Sequence, residues 1–187
     1  MKRFLFIVLA VILFAGCASV EKNEPALIKR VISRPRSNDI GSAVGLVEVN
    51  LDKDFRIFPK GRIIDNIIIL IQNIETGRTY TGFAKRGLYY VLNAEPGFYY
   101  IKTITLAQNH LTSNYVIRHT LQQREVFHIE QGRMNVVQNI KLNITNLSGY
   151  FVDEFAFELI MEPANRDLLR GAFTFLDENG YWSDFEW

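Results

Sequence analysis

Five consecutive branched aliphatic residues, Ile67-Ile68-Ile69-Leu70-Ile71, constrain this chain more than any other stretch. β-Branched side chains are stiff at χ1 and favour extended backbone, and the run is too short for a buried helix. It therefore predicts a strand buried on both sides, at the centre of a sheet. Shorter strands surround it. Val47, Val49 and Leu51 alternate with Glu48 and Asn50, which predicts a half-buried strand ending in a turn at Asp52-Lys53-Asp54. Further strands are predicted at Thr79 to Phe83, Leu88 to Leu92, Phe98 to Ala107, Tyr115 to Leu121, Val126 to Ile129 and Met134 to Ile144. Turn signals separate them at Glu75-Thr76-Gly77-Arg78, Lys85-Arg86-Gly87, Glu95-Pro96-Gly97 and Gln131-Gly132. Many short strands at this spacing predict a mainly β domain, an antiparallel β-sandwich, over residues 43–147.

Two passages carry a family resemblance. Ile69-Leu70-Ile71-Gln72-Asn73-Ile74-Glu75-Thr76-Gly77 is a strand ending in Asn and Thr-Gly. Gly87-Leu88-Tyr89-Tyr90-Val91-Leu92-Asn93-Ala94-Glu95-Pro96-Gly97-Phe98-Tyr99 is a Gly-led strand of large side chains, then Pro-Gly-x-Tyr opening the next. Together they resemble the transthyretin-like, or carboxypeptidase-regulatory-like, sandwich, an Ig-like architecture, over roughly residues 45–105. The resemblance implies a fold rather than an activity, because such modules serve as spacers, binding domains and surface structures.

Residues 148–187 read as an appendage. Phe155, Phe157, Leu159 and Met161 recur every second residue as in a strand, whereas Val152, Phe155 and Leu159 also fit one helical face, so this segment stays open between the two. Pro163 suits a first helical turn, and Leu168, Leu169, Ala172, Phe173 and Leu176 make an apolar stripe. A helix over about 163–176, stopping near Asn179-Gly180, is expected. Tyr181-Trp182-Ser183-Asp184-Phe185-Glu186-Trp187 holds both tryptophans and is expected to pack on the sandwich, with a partner or ligand surface as the sharper alternative.

The first residues read as a targeting segment. Met1-Lys2-Arg3 is charged, Phe4 to Phe14 is apolar, and Ala15-Gly16 leads into Cys17, the single cysteine. Eleven apolar residues rise only ~16 Å as a helix, about half a bilayer core, so residues 1–16 read as a secretory signal peptide rather than a span. Phe14-Ala15-Gly16-Cys17 resembles the lipobox of bacterial lipoproteins, with Phe where Leu is usual. The resemblance implies cleavage between Gly16 and Cys17, a diacylglyceryl group on the Cys17 sulfur, and a membrane-lipid partner through that acylated cysteine. Ala18 lacks the Asp that resembles the inner-membrane retention signal, which favours the outer membrane. Residues 17–42, rich in Glu, Lys, Asn, Arg and Ser with Pro25 and Pro35, read as a flexible tether, in which Leu27 to Ile32 is the one part able to dock on the domain or the membrane.

Loss of Lys2 and Arg3 with the leader leaves 19 basic against 20 acidic residues, so nothing electrostatic points to nucleic acid. His110, His119 and His128 lie nine apart, without the close pair or Cys partners that zinc wants. Asp52 and Asp54 lack the glycine and terminal Glu of a calcium loop. There is no nucleophile elbow and no phosphate loop, and no motif calls for a cofactor, a metal or a catalytic residue. A non-catalytic binding, assembly or structural module of the cell envelope is the expectation, and a hydrolase of envelope polymer or a carbohydrate-binding accessory domain the alternative. The candidate surface for an envelope protein or glycan partner is Tyr89, Tyr99, Trp182 and Trp187, on the expectation that neighbouring tyrosines point to opposite faces, one into the core and one to the surface. Val116, Phe127 or a bare edge strand would serve strand addition.

Overall fold

The structure is a computed structural model that describes residues 32–51, 63–109, 114–120, 125–148, 151–162 and 164–187. It is mainly β. The described elements are β1 (Gly41–Leu51), β2 (Ile67–Asn73), β3 (Thr79–Lys85), β4 (Leu88–Ala94), β5 (Gly97–Asn109), β6 (Asn114–Thr120), β7 (Val126–Ile129), β8 (Met134–Val136), β9 (Asn139–Ser148), β10 (Phe151–Ile160) and the helix α1 (Arg166–Leu176). The strands form one curled sheet in the order β10-β9-β1-β4-β3-β2-β5-β6, with β7 paired to β5 and β8 to β1.

The sheet is mixed, which corrects the expectation of antiparallel pairing throughout. β1 runs antiparallel to β4 but parallel to β8, from Ser42↔Met134, and to β9, from Val47↔Ile140. Alternation of polar and apolar residues fixes which face of a strand is buried and is indifferent to the direction of its neighbour. The long excursion through β2 to β7 lets the chain return alongside β1 in the same sense. The single strand expected over Met134 to Ile144 is two, broken at Val137 and Gln138, where the Val137 N–H bonds the Val44 carbonyl. The open choice over 151–161 resolves to strand, β10.

Burial corrects a second expectation. In β2, Ile67, Ile69 and Ile71 are fully buried but Ile68 and Leu70 only half, so the aliphatic run is covered on one face. β1 and β4 are covered on both faces. Their inward residues, among them Ala43, Val47, Tyr89 and Val91, join the core inside the curl, together with Ile69 and Ile104 from β2 and β5 and Leu142 and Phe155 from β9 and β10. Their outward residues, Val44, Leu88 and Tyr90, join a second core with Ile32, Met134, Leu169, Phe173, Leu176 and Trp182. Hence both members of the Tyr89-Tyr90 pair are buried, and so are both members of Tyr99-Tyr100.

Turn chemistry is local. The β3–β4 hairpin closes on Arg86 and Gly87 at φ of 52° and 86°, the two-residue geometry whose twist matches that of the strands. At the β2–β3 turn the Asn73 carboxamide oxygen accepts from the N–H groups of Glu75 and Thr76, at 2.9 and 2.8 Å. Where the sheet is tightest a glycine admits a neighbour: a Cβ on Gly45 would stand 2.5 Å from the Tyr89 ring. Through that gap the Tyr89 hydroxyl reaches the Gln138 carbonyl at 2.5 Å.

α1 starts at Arg166 because Asn165 caps it, its side chain accepting from Asp167 and Leu168 N–H, rather than at Pro163, which lies outside the described residues. It ends at Leu176, with Asp177 as its C-cap, short of Asn179-Gly180. The tail packs against the second core as expected. Trp182 is buried and its indole N–H donates to the Ser33 carbonyl at 2.8 Å.

The segment read as a tether is, in its described part, docked on this layer. Ile32 is buried, and Asn93, at φ 60°, donates to the Ser33 hydroxyl and the Arg34 carbonyl while accepting from the Arg36 N–H. The segment is polar in composition, and the buried Asn93 side chain supplies partners for the Arg34 carbonyl and the Arg36 N–H of its backbone. Residues 18–31, the turn at Asp52 to Asp54, and Cys17 with its leader lie outside the described residues.

Candidate functional site

Three of the four residues expected to form a partner surface do not reach the surface. Tyr89 is buried in the inner core, Tyr99 packs edge-on against Tyr80 at 5.8 Å, and Trp182 is buried in the second core. Burial pushes both phenols up, that of Tyr99 to about 12. Trp187 is partly buried, 5.7 Å from the Phe173 ring, with its carbonyl accepting from the Arg166 guanidinium. Tyr89 and Tyr99 face the core inside the curl, whereas Trp182 and Trp187 pack with α1 over the outer face of β1 and β4, a face that alternation alone would leave to solvent. Phe127 also faces the core. His110 and the side chains of Val116 and His119 lie outside the described residues, although the backbone of Val116 is paired with Ala107 in β6, at one end of the sheet.

Besides Met161 and, on α1, Leu168 and Phe175, the large apolar residues exposed among the described residues lie on the outer face of β2, β5 and β7. Gln72 is paired with Tyr100, Tyr100 with Val126, and Phe98 with His128, so these side chains share one face by the two-residue period of a strand. Ile74, Phe98 and Val126 are each close to half exposed, at 49%, 48% and 47%. Ile74 is fixed beside Phe98 by its N–H, which donates to the Phe98 carbonyl at 2.9 Å. The rings of Phe98 and His128 lie 4.7 Å apart and tilted by 33°.

Between these apolar groups runs a short polar chain. The Tyr100 hydroxyl donates to Gln72 Oε1 at 2.6 Å, and Gln72 Nε2 donates to the Gly77 carbonyl at 2.7 Å. The amide plane is thereby fixed before anything binds. Gln72, Asn73, Ile74, Gly77, Tyr100 and Val126 line a depression of about 440 Å³, within the size range of small-molecule sites. None of the six is charged at neutral pH. The exposed ion pair of Arg78 and Glu95 stands on the neighbouring turns.

Sequence reasoning passed over Phe98, Ile74, Val126 and Gln72. The two-residue step from Phe98 to Tyr100 was legible, but nothing in the sequence tells which face of β5 remains uncovered.

Among the described residues, no group of three or more His, Cys, Asp or Glu could hold a metal ion, and no helix is long and apolar enough to cross a membrane. No protein-family model matches the sequence, and no curated protein matches it. Among solved structures, a leucine-rich repeat protein from Bacteroides thetaiotaomicron is similar over 55% of this chain at 13% identity, with a TM-score of 0.34. The match spans 13% of that protein's length.

Proposed function

We propose that this chain is an envelope lipoprotein, anchored through acyl groups on Cys17, whose β-domain acts without catalysis as a binding or assembly module. The lipobox-like Phe14-Ala15-Gly16-Cys17 after a charged head and an eleven-residue apolar run carries the reading. A lone cysteine in an exported chain has no disulfide partner, and lipidation gives it a use. One acyl chain holds a membrane only marginally, so two or three on one residue make a durable anchor. The outer membrane is the favoured location, from Ala18 after the cysteine.

The domain is read as a sandwich of the transthyretin-like kind. In support, residues of β9 and β10 share one core with residues of β2 and β5, and the Asn-x-x-Thr-Gly and Pro-Gly-x-Tyr passages form the turns between β2 and β3 and between β4 and β5. A binding role is supported by the outer face of β2, β5 and β7, which leaves three large apolar side chains about half in water.

Detergent-phase partition of the natively expressed full-length protein tests the anchor. Wild type is expected in the detergent phase and Cys17→Ala in the aqueous phase. Equal partition of the two rejects anchoring through Cys17.

A further inference from the structure

We propose that the depression between β2, β5 and β7 binds a neutral sugar ring of an envelope glycan. The inference deepens the binding-module reading and rests on it.

Four features of the site select this class of ligand. Its six lining residues are uncharged at neutral pH, so a polyanion or a metal-bound group gains nothing there. Its floor alternates aliphatic surface, from Ile74 and Val126, with one fixed amide–phenol pair, Gln72 and Tyr100. A pyranose has the matching pattern, a face of C–H groups with hydroxyls around its rim. The depression is partly open to solvent, which suits a ring within a polymer better than an acyl chain, whose apolar surface must leave water on all sides.

The fourth feature disfavours a peptide strand across β2 and β5. β2 is hydrogen-bonded on both sides, to β3 and β5, and β5 is hydrogen-bonded to β2 and β7 beside the depression. The floor at β2 and β5 therefore offers side chains and no backbone ladder, whereas strand addition draws its affinity from the ladder and is left only the outer edge of β7. In the bound arrangement the C–H face of the sugar lies on Ile74 and Val126. Its hydroxyls meet the Gln72 carboxamide and the Tyr100 oxygen, and the half-exposed Phe98 ring beside them receives the next residue of the glycan.

The test is retention on an array of immobilised oligosaccharides, neutral and charged, using native full-length protein whose acylation has first been established by mass. Retention of a set of neutral oligosaccharides is expected, weakened at least fivefold by Ile74→Ala and by Val126→Ala. Phe175→Ala removes an exposed ring from α1, away from the depression, and is expected to change nothing. Both site residues are about half in water, so each variant is expected to keep the wild-type melting temperature, which separates lost binding from lost folding. An array with no neutral glycan retained, or with retention equal in all variants, overturns the sugar site. If the acylated mass is present, the anchored-module reading survives that result. An unacylated mass rejects the anchor whatever the array shows.

Discussion

The Gln108 carboxamide takes both backbone groups of Val152: it donates to the carbonyl at 2.7 Å and accepts from the N–H at 2.8 Å. Gln108 belongs to β5 and Val152 to β10, the strand at the far end of the sheet. The β9–β10 register shifts between Val152 and Glu154, an irregularity that leaves the Val152 peptide groups to find other partners. One side chain thus stands in for a strand and ties the two limbs of the curl together.

Gln108→Leu is expected to destabilise the domain by roughly 2–6 kcal/mol, since two buried backbone groups lose their partners at about 1–3 kcal/mol each. Urea denaturation followed by far-ultraviolet circular dichroism reads this as a lower midpoint at unchanged slope. A variant as stable as wild type would mean that the limbs are held by apolar packing alone.

Glycines divide by what surrounds them. A Cβ on Gly82 would stand 2.5 Å from Val91 and 2.6 Å from the Tyr90 carbonyl, so Gly82→Ala is expected to cost about 1–3 kcal/mol through overpacking. Gly171, inside α1, meets nothing within 4 Å, and Gly171→Ala is expected to stabilise by roughly 0.5–1 kcal/mol. Thermal melts of the two variants should move in opposite directions.

The docked entry segment hangs on two side chains. Trp182→Phe keeps most of the apolar volume but removes the indole donor to Ser33, and Asn93→Ala removes all three contacts to Ser33, Arg34 and Arg36. Trypsin is expected to cut after Arg36, the Arg34–Pro35 bond being resistant, several times faster in Asn93→Ala, and faster again in the double variant. Wild-type cleavage rates in both would show that Ile32 alone seats the segment.

Alkaline stability follows from the tyrosines. The Tyr99 phenol is raised to about 12 by burial, while in the unfolded chain it ionises near the usual value of about 10. A folded value above the unfolded one means stability fully present below pH ~10 and lost progressively as pH rises toward 12. Tyr89 shifts in the same direction and adds to the loss. Spectrophotometric titration should show these two phenols ionising above the range of an exposed tyrosine, and Tyr99→Phe should reduce the slope of stability against pH in that window.

Strand positions were legible because polar and apolar residues alternate with a period of two, and α1 because Leu169, Phe173 and Leu176 repeat along one side. The pairing of β1 was not legible, since Val47 and Val49 face inward whether β9 runs with or against them. Nor was the burial of Tyr90, which depends on Phe173 from 83 residues later lying over it at 6.0 Å. The outer depression escaped notice for the complementary reason: Phe98 and Val126 resemble core residues in composition, and only the completed topology shows that they stay about half exposed.

The anchor at Cys17 is the claim on which the biological reading depends, and the intact mass of the mature protein from its native membrane tests it most directly. The account predicts a chain beginning at Cys17 and heavier than its sequence by a diacylglyceryl group, with or without a further acyl chain on the new amino group. A chain that retains residues 1–16, or that begins at Cys17 with an unmodified thiol, would contradict it.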